Sequence, residues 1–494
     1  MTSLEASSSS ENLRDFIRCY SHITGIQPSL DHPLWMPVKS GELDAAEACM
    51  EIFDKSTLSG SGIARGIVSN PSTPQELLDR MEAQSTLRNF QAFHRSWFVN
   101  DNFREGARTE SLTGDADIYD HAEAANHVSW LLFSEGEPYS QLLTGIRSIR
   151  ALRAGDTNQD STKAPFSQAL LSNFRHNFQA NPTQGLPLNP LVLERGTLRG
   201  FRELTETEMS AEVRAALEFE TDFSESIPLH YLRPQGAGAM GTASYLLINL
   251  GLGVYIGSNG GNLTPRRLLQ AALTEFMCRV PPVISGTDAQ PYVRTLSQPG
   301  YGELHSWQRS SSCMSCHTTL DGAAAGLRNL TVATSGAFSK GAFFGDKISD
   351  ILFIKTEPTQ PTANGVHEPA PYLPQEPDLF GIGADANFAR RPPKGKFVMR
   401  DYNNTLISEE FLGIEGLGNK LVSVDDFYLC AASRYYGFFT GYTPPLLDIP
   451  TSSRKEIQAR QEMIQLGLQL KNHQSLRELI RGILESDLYR EGLN

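Results

Sequence analysis

Apolar residues at helical spacing recur along the chain and predict a mainly α protein. The clearest segments are residues 47–53, 74–81, 87–98, 122–143, 264–277 and 476–484. Thr73, Pro74 and Glu76 match a capping box with proline in the first turn, so they predict where the second segment begins. The Gly136-Glu137-Pro138 sequence predicts a break inside the fourth segment.

Patterns typical of strands are few and occur at residues 348–354 and 396–399. The segment from Pro358 to Pro393 contains eight prolines, counting both ends, and they predict an extended, loop-like connection over residues 358–395. A loop of this length is uncommon inside a compact domain. We therefore expect it to wrap the surface or to cover a bound group.

Length, hydropathy and charge narrow the class of protein. A chain of 494 residues predicts about two to four packed units. No run approaches the roughly 20 consecutive apolar residues that cross a bilayer, and the best apolar run, residues 243–256, is interrupted by polar residues and glycines. The formal net charge is -13 without a dense run of Lys and Arg, so we expect neither a membrane span nor nucleic-acid binding.

One short motif carries specific chemistry: Cys313-Met314-Ser315-Cys316-His317 is the C-x-x-C-H pattern of covalent haem attachment. Two thiols three positions apart lie on one side of a helical turn, where each can add to one haem vinyl group. The adjacent His317 then offers its imidazole to the iron. A chain with six cysteines and eleven histidines would contain about 0.002 such matches by chance. The sequence therefore predicts one covalent haem c, held by Cys313, Cys316 and His317.

Three other uses of the Cys313 and Cys316 pair stay open. A zinc site would need two further ligands, and no second C-x-x-C or H-x-x-x-H pair occurs. A thioredoxin-type redox pair would need a βαβ context, which the flanking sequence lacks. A disulfide between the two cysteines is the third use.

The other four cysteines permit three pairings. We expect Cys19–Cys49 to close a local loop and Cys278–Cys430 to join the haem region to the C-terminal region, with four buried free thiols as the alternative. Disulfides indicate an oxidising compartment, as does covalent haem attachment. We therefore expect a periplasmic, extracellular or cell-surface protein. Residues 1–11 show no signal-peptide pattern, so we expect that a signal was removed.

The sixth iron ligand would decide how the haem is used, because an open position permits ligand or peroxide chemistry. Met399 is the first candidate metal ligand, since it follows the proline-rich segment in a strand-like run. His305 and His367 are the other candidates, and the position could also be open. Methionine is more often a core residue than a ligand. A backbone carbonyl is the expected partner of the His317 Nδ1–H group.

Further cofactor contacts are expected from residues on both sides of the motif. Arg266, Arg267 and Arg309 could donate charge-assisted hydrogen bonds to the haem propionates. Trp307 could pack against the macrocycle, although ordinary core packing is the alternative for any aromatic residue.

Three groups of residues follow one another in a recognisable order between Pro265 and Tyr489. They are Arg266-Arg267 leading to Cys278 and Pro281-Pro282, then the haem motif with Leu320-Asp321-Gly322, then Leu417-Gly418, Phe427, Cys430, Arg434-Tyr435-Tyr436 and Thr440-Gly441. This order resembles the large cytochrome c-associated proteins of planctomycetes and myxobacteria, whose domains around a single C-x-x-C-H motif have no known function. The resemblance implies a mostly helical, exported haem protein and no established reaction. That family commonly has Met-Asp-Pro where this chain has Leu320-Asp321-Gly322, so any role of that methionine is absent here.

These observations predict a multi-domain helical protein with a central cytochrome c-like domain. The expected parts are helical regions at 1–110 and 111–260, a monohaem domain at 261–357, a Pro-rich linker or haem-covering loop at 358–395 and a helical C-terminal module at 396–494. We expect single-electron transfer to a redox partner protein within a larger complex or surface assembly. A complex or a homo-oligomer is the expected assembly state. A haem peroxidase or oxidoreductase subunit with an open distal site is one alternative. A scaffold in which haem is mainly a folding core is the other.

Overall fold

A computed structural model describes residues 2–98, 123–154, 197–203, 236–242, 245–246, 249, 263–293, 306–328, 330–334, 352–355, 359–361, 367–369, 371–373, 390–447 and 453–491. Helices account for 62% of them, which confirms the mainly α prediction. The predicted boundaries at residues 110, 260 and 357 fall outside the described residues, and the boundary at residue 395 falls within a strand. The predictions for His305 and for residues 374–389 also concern residues outside these ranges.

The helices lie in every long described segment. In chain order they are α1 (Thr2–Thr24), α2 (Trp35–Ser40), α3 (Ala45–Asp54), α4 (Pro74–Arg95), α5 (Glu123–Phe133), α6 (Gln141–Thr144), α7 (Leu263–Met277), α8 (Gly286–Ala289), α9 (Ser311–Ala324), α10 (Gly413–Ser423), α11 (Asp425–Thr440), α12 (Arg454–His473), α13 (Leu476–Glu485) and α14 (Asp487–Glu491). Within the described ranges, none of them combines the length and the apolar composition that crossing a membrane requires.

The strands of the described residues form four separate antiparallel pairs. They are β1 (Ile149–Ala154) with β2 (Thr197–Glu203), β3 (Thr331–Thr334) with β4 (Leu352–Lys355), β5 (Thr359–Pro361) with β6 (His367–Pro369), and β7 (Lys394–Arg400) with β8 (Leu406–Leu412). The predicted strand at 396–399 is confirmed within β7. The other predicted strand covers residues 348–354, and its described residues, 352–354, lie in β4. Strands β5 and β6 form a short hairpin inside the Pro-rich segment, where we had expected an extended connection.

Local sequence signals explain where several helices begin and end. Helix α4 starts at Pro74, as predicted: the Thr73 hydroxyl accepts a hydrogen bond from the Glu76 N–H at 3.2 Å, and the Glu76 carboxylate accepts one from the Thr73 N–H at 3.1 Å. Gly136, with a φ of 77°, lies between α5 and α6. This positive φ favours glycine and explains the predicted break.

A single cluster of buried apolar side chains joins the N-terminal and C-terminal helices. The ring centroids of Phe93 on α4 and Phe438 on α11 are 4.3 Å apart, and those of Phe53 on α3 and Phe133 on α5 are 5.4 Å apart. Helix α13 adds one apolar stripe at helical spacing, formed by Leu476, Leu479, Ile480, Ile483 and Leu484. The first and last predicted regions therefore share one hydrophobic core.

Both predicted disulfides are confirmed. Cys19 on α1 is bonded to Cys49 on α3, and Cys278, directly after α7, is bonded to Cys430 on α11. The alternative of four free thiols is therefore wrong. The two cysteines of the C-x-x-C-H motif are the free ones.

Removing the two disulfides separately should lower stability by different amounts. The bonded residues are 152 positions apart for Cys278–Cys430 and 30 positions apart for Cys19–Cys49. In the chain-entropy account, exchange of both cysteines for serine costs ~5 kcal/mol for the long loop and ~4 kcal/mol for the short one. Urea unfolding of the two double variants measures the difference. A larger loss for the Cys19–Cys49 variant would contradict the expected order.

Candidate functional site

The C-x-x-C-H motif lies within α9, and its three reactive groups share the more exposed side of that helix. Cys313 is exposed, while Cys316 and His317 are half-buried. Positions i, i+3 and i+4 are neighbours on a helix surface. The two thiols and the imidazole are therefore presented together, as the sequence predicted.

The opposite side of α9 is buried and fixes the helix in place. Met314 packs with Ile284, Ala289 and Val398 in a small apolar cluster that is separate from the main core. The Thr319 hydroxyl donates a hydrogen bond to the Val398 carbonyl oxygen at 2.6 Å. Since Val398 lies on β7, these contacts attach the motif helix to the β7–β8 hairpin. The reactive side chains therefore extend from a supported element.

The chain beyond α9 contacts the same hairpin at Gly326. A Cβ atom at Gly326 would overlap the aromatic ring of Phe411 on β8, so no side chain fits there without moving the ring. A Cβ atom at Gly395 on β7 would lie only 2.5 Å from the same ring. Two glycines therefore allow Phe411 to fill the space between the motif helix and the hairpin.

Exchange of Gly326 for alanine should loosen this contact. Overpacking of a filled site costs about 1–3 kcal/mol, so the variant should unfold at a lower urea concentration than the unsubstituted protein. Gly60 is a matched control, since a Cβ there meets no atom within 4 Å. Equal urea midpoints for the Gly326→Ala and Gly60→Ala variants would show that the Phe411 contact contributes nothing.

A carboxylate holds the imidazole of His317. The Nδ1 atom of His317 lies 3.1 Å from Oδ2 of Asp321, one helical turn further along α9. The other oxygen of Asp321 accepts a hydrogen bond from Nε of Arg266 on α7. Asp321 was not among the predicted site residues, and we had expected a backbone carbonyl to be the Nδ1 partner. With Nδ1 hydrogen-bonded in this way, Nε2 is the nitrogen that can bind a metal ion.

The remaining predicted site residues differ in how the structure places them. Arg267 is half-buried on α7 beside Arg266, and Arg309 is exposed two residues before α9. The side chains of Trp307 and His367 lie outside the described part of the chain, as His305 does entirely. The structure therefore links Arg266 to His317 through Asp321, and the propionate contacts stay predictions.

Met399 lies in the main core, in a different apolar cluster from Met314 of the motif. Its side chain is fully buried in the large apolar cluster, whereas Val398, its neighbour on β7, packs with Met314 of α9. Successive side chains of a strand point to opposite faces, which explains the difference. The role of Met399 as an iron ligand stays a prediction.

The Cys316 thiol does not have the electrostatics of a reactive redox cysteine. Burial raises the pKa of the Cys316 thiol; the Ser315 hydroxyl lowers it in part, and Cys313 raises it further. A thioredoxin-type cysteine has a lowered pKa instead. Among the described side chains, no group of three or more His, Cys, Asp or Glu residues is placed to hold a metal ion.

Comparisons of the chain with protein-family models, with curated proteins and with solved structures gave no match. The resemblance to the large cytochrome c-associated proteins therefore stays a prediction.

Proposed function

We propose that this protein is an exported c-type cytochrome that transfers single electrons through one haem bound to Cys313, Cys316 and His317. The supporting observation is the contrast among its six cysteines. Four are closed in disulfides, and the two that remain free lie with an adjacent imidazole on the same side of one helix. This arrangement provides both thiols and the iron ligand that haem c needs.

The residues around the motif fit such a haem. The thiols of Cys313 and Cys316 would form the two thioether bonds, and Nε2 of His317 would bind the iron. When bound, haem supplies a one-electron Fe(II)/Fe(III) couple. The protein contributes a fixed position for the imidazole: Asp321 orients the ring, and Thr319 ties its helix to β7. A ligand that moves little between the two oxidation states suits electron transfer.

The disulfides support the proposed location. Two native disulfides are typical of proteins from oxidising compartments, so we place the protein in the periplasm or at the cell surface. The net charge of -13 favours a basic redox partner, which it would attract electrostatically at low ionic strength.

A potentiometric titration of the exported, full-length protein tests the proposal. Electron transfer predicts one reversible one-electron transition whose midpoint is the same in the oxidative and reductive directions. An attached haem that lacks a reversible transition would contradict it.

The position of Met399 gives one reason to keep a second function, a haem protein with an open distal site. Because its thioether is buried in the main core, the iron could lack this ligand and bind a small molecule. Carbon monoxide added to the reduced protein separates the two functions: fast, tight binding together with peroxide turnover supports the open site. Loss of a methionine–iron charge-transfer band in the Met399→Leu variant would instead assign Met399 as the ligand.

A further inference from the structure

We infer that the buried pair formed by Asp321 and Arg266 sets the reduction potential of the haem by controlling how strongly His317 donates electrons to the iron. This inference rests on the haem attachment proposed above. Asp321 and Arg266 carry opposite charges, and neither binds the iron. We expect them to shift the reduction potential in opposite directions.

The geometry connects the two charges to His317 in sequence. Each oxygen of the Asp321 carboxylate has its own partner: Oδ2 lies 3.1 Å from Nδ1 of His317, and Oδ1 accepts from Nε of Arg266. The Asp321 side chain is 1% exposed and that of Arg266 is 17% exposed. Water therefore screens this pair weakly, and a change in either charge acts strongly on its neighbours.

The two charges have opposite effects on the imidazole. A carboxylate that accepts the Nδ1–H hydrogen bond increases the basicity of the ring, so Nε2 becomes a stronger donor to the iron. A stronger donor stabilises Fe(III) relative to Fe(II) and lowers the potential. The guanidinium of Arg266 withdraws part of the carboxylate charge, which weakens the donor and raises the potential. The potential of the unsubstituted protein then reflects the balance between Asp321 and Arg266.

Arg266 also provides an ion-pair partner for the buried carboxylate of Asp321. An ionised carboxylate out of water is costly unless it is paired. Helix α7 provides the paired cation, and helix α9 provides both the carboxylate and the imidazole. The pair can therefore act on His317 only when α7 and α9 are packed together, as they are here.

Midpoint potentials of variants of the exported, full-length haem protein test the inference. We expect a higher potential for Asp321→Asn and a lower one for Arg266→Gln. Since Arg266 acts through the Asp321 carboxylate, the double variant should have nearly the potential of Asp321→Asn alone. Arg266→Lys keeps the charge and should restore the potential most of the way. Asp426→Asn is the matched control, because Asp426 forms another buried pair with Arg279 but does not contact His317. It should change stability and leave the potential nearly unchanged.

The outcomes separate this inference from the proposed function. If the unsubstituted protein carries no covalent haem, the proposed function fails before any potential is compared. If haem is attached and the Asp321→Asn and Arg266→Gln variants shift the potential in the same direction, or by no more than Asp426→Asn does, the inference is overturned. Should Asp321→Asn fail to fold, the midpoint potentials of Arg266→Gln and Arg266→Lys alone test the inference.

Discussion

Exchange of both Cys313 and Cys316 for alanine is expected to remove all covalently bound haem and to leave the helical fold intact. The two thiols are free, and both lie on the more exposed side of α9. Their loss therefore removes the attachment chemistry without opening a cavity in the core. Haem staining after denaturing electrophoresis should show no signal for the double variant, while its far-ultraviolet circular dichroism should match that of unattached wild-type chain.

A single-cysteine variant and a control variant at a neighbouring position test the attachment further. Cys316→Ala alone should retain haem through one thioether bond, with a shifted absorption spectrum. Ser312→Ala replaces another exposed residue of the same helix and should keep the full haem content. Retention of covalent haem in the Cys313 and Cys316 double variant would exclude these thiols as the attachment points.

Acidification from pH 8 to pH 5 is expected to remove about 4 kcal/mol from the free energy of unfolding through two buried histidines. Burial lowers the pKa of His94 to about 3, and burial likewise lowers that of His127 to about 3. An unfolded histidine has a pKa of about 6.5. Between these values the unfolded state binds protons that the native state does not, so stability falls as the pH drops below 6.5. Each histidine accounts for about 2 kcal/mol at pH 5.

The hydrogen bonds of His94 explain why it stays neutral. The Ser129 hydroxyl donates to the Ala125 carbonyl oxygen, so its own oxygen accepts from Nδ1–H of His94 at 2.8 Å. Nε2 then accepts from the Tyr435 hydroxyl at 2.7 Å. A proton added to Nε2 would oppose the Tyr435 proton in a site without water access. The neutral ring is therefore the form that this site accommodates.

Urea unfolding at pH 8, pH 6 and pH 5 measures the expected loss. A His94→Asn variant should be less stable at pH 8 but should lose about 2 kcal/mol less on acidification, because one proton-binding group is gone. His473→Asn, an exchange at an exposed position of α12, is the matched control variant. Stability that stays constant between pH 8 and pH 5 would contradict the account of these two histidines.

Short-range signals allowed much of the helical fold to be predicted. Thr73, Pro74 and Glu76 marked the start of α4 because capping involves residues three positions apart. Helix α1 was missed, since its first half is rich in serine and has no strong helical propensity. Its burial of Phe16, Cys19, Tyr20 and Ile23 shows that tertiary packing stabilises it, and packing partners are not visible in a local pattern.

The site could be predicted only as far as local spacing determines it. The common face of Cys313, Cys316 and His317 follows from positions within one helix. The contact of Asp321 with His317 also has the i, i+4 spacing, so it could have been found in the sequence. The contact of Asp321 with Arg266 could not, because it depends on how α7 packs against α9. The direction in which the Met399 side chain points likewise depends on which face of β7 packs against the core, and the sequence does not show this.

The pyridine haemochrome spectrum of the protein, produced with export and cytochrome c maturation, determines whether haem is attached covalently. We expect an α-band typical of haem c that survives denaturation and extraction with acidified acetone, with one haem per chain. A protein that is correctly folded and exported but loses all its haem on extraction, or that holds zinc or a disulfide at Cys313 and Cys316 instead, would contradict it.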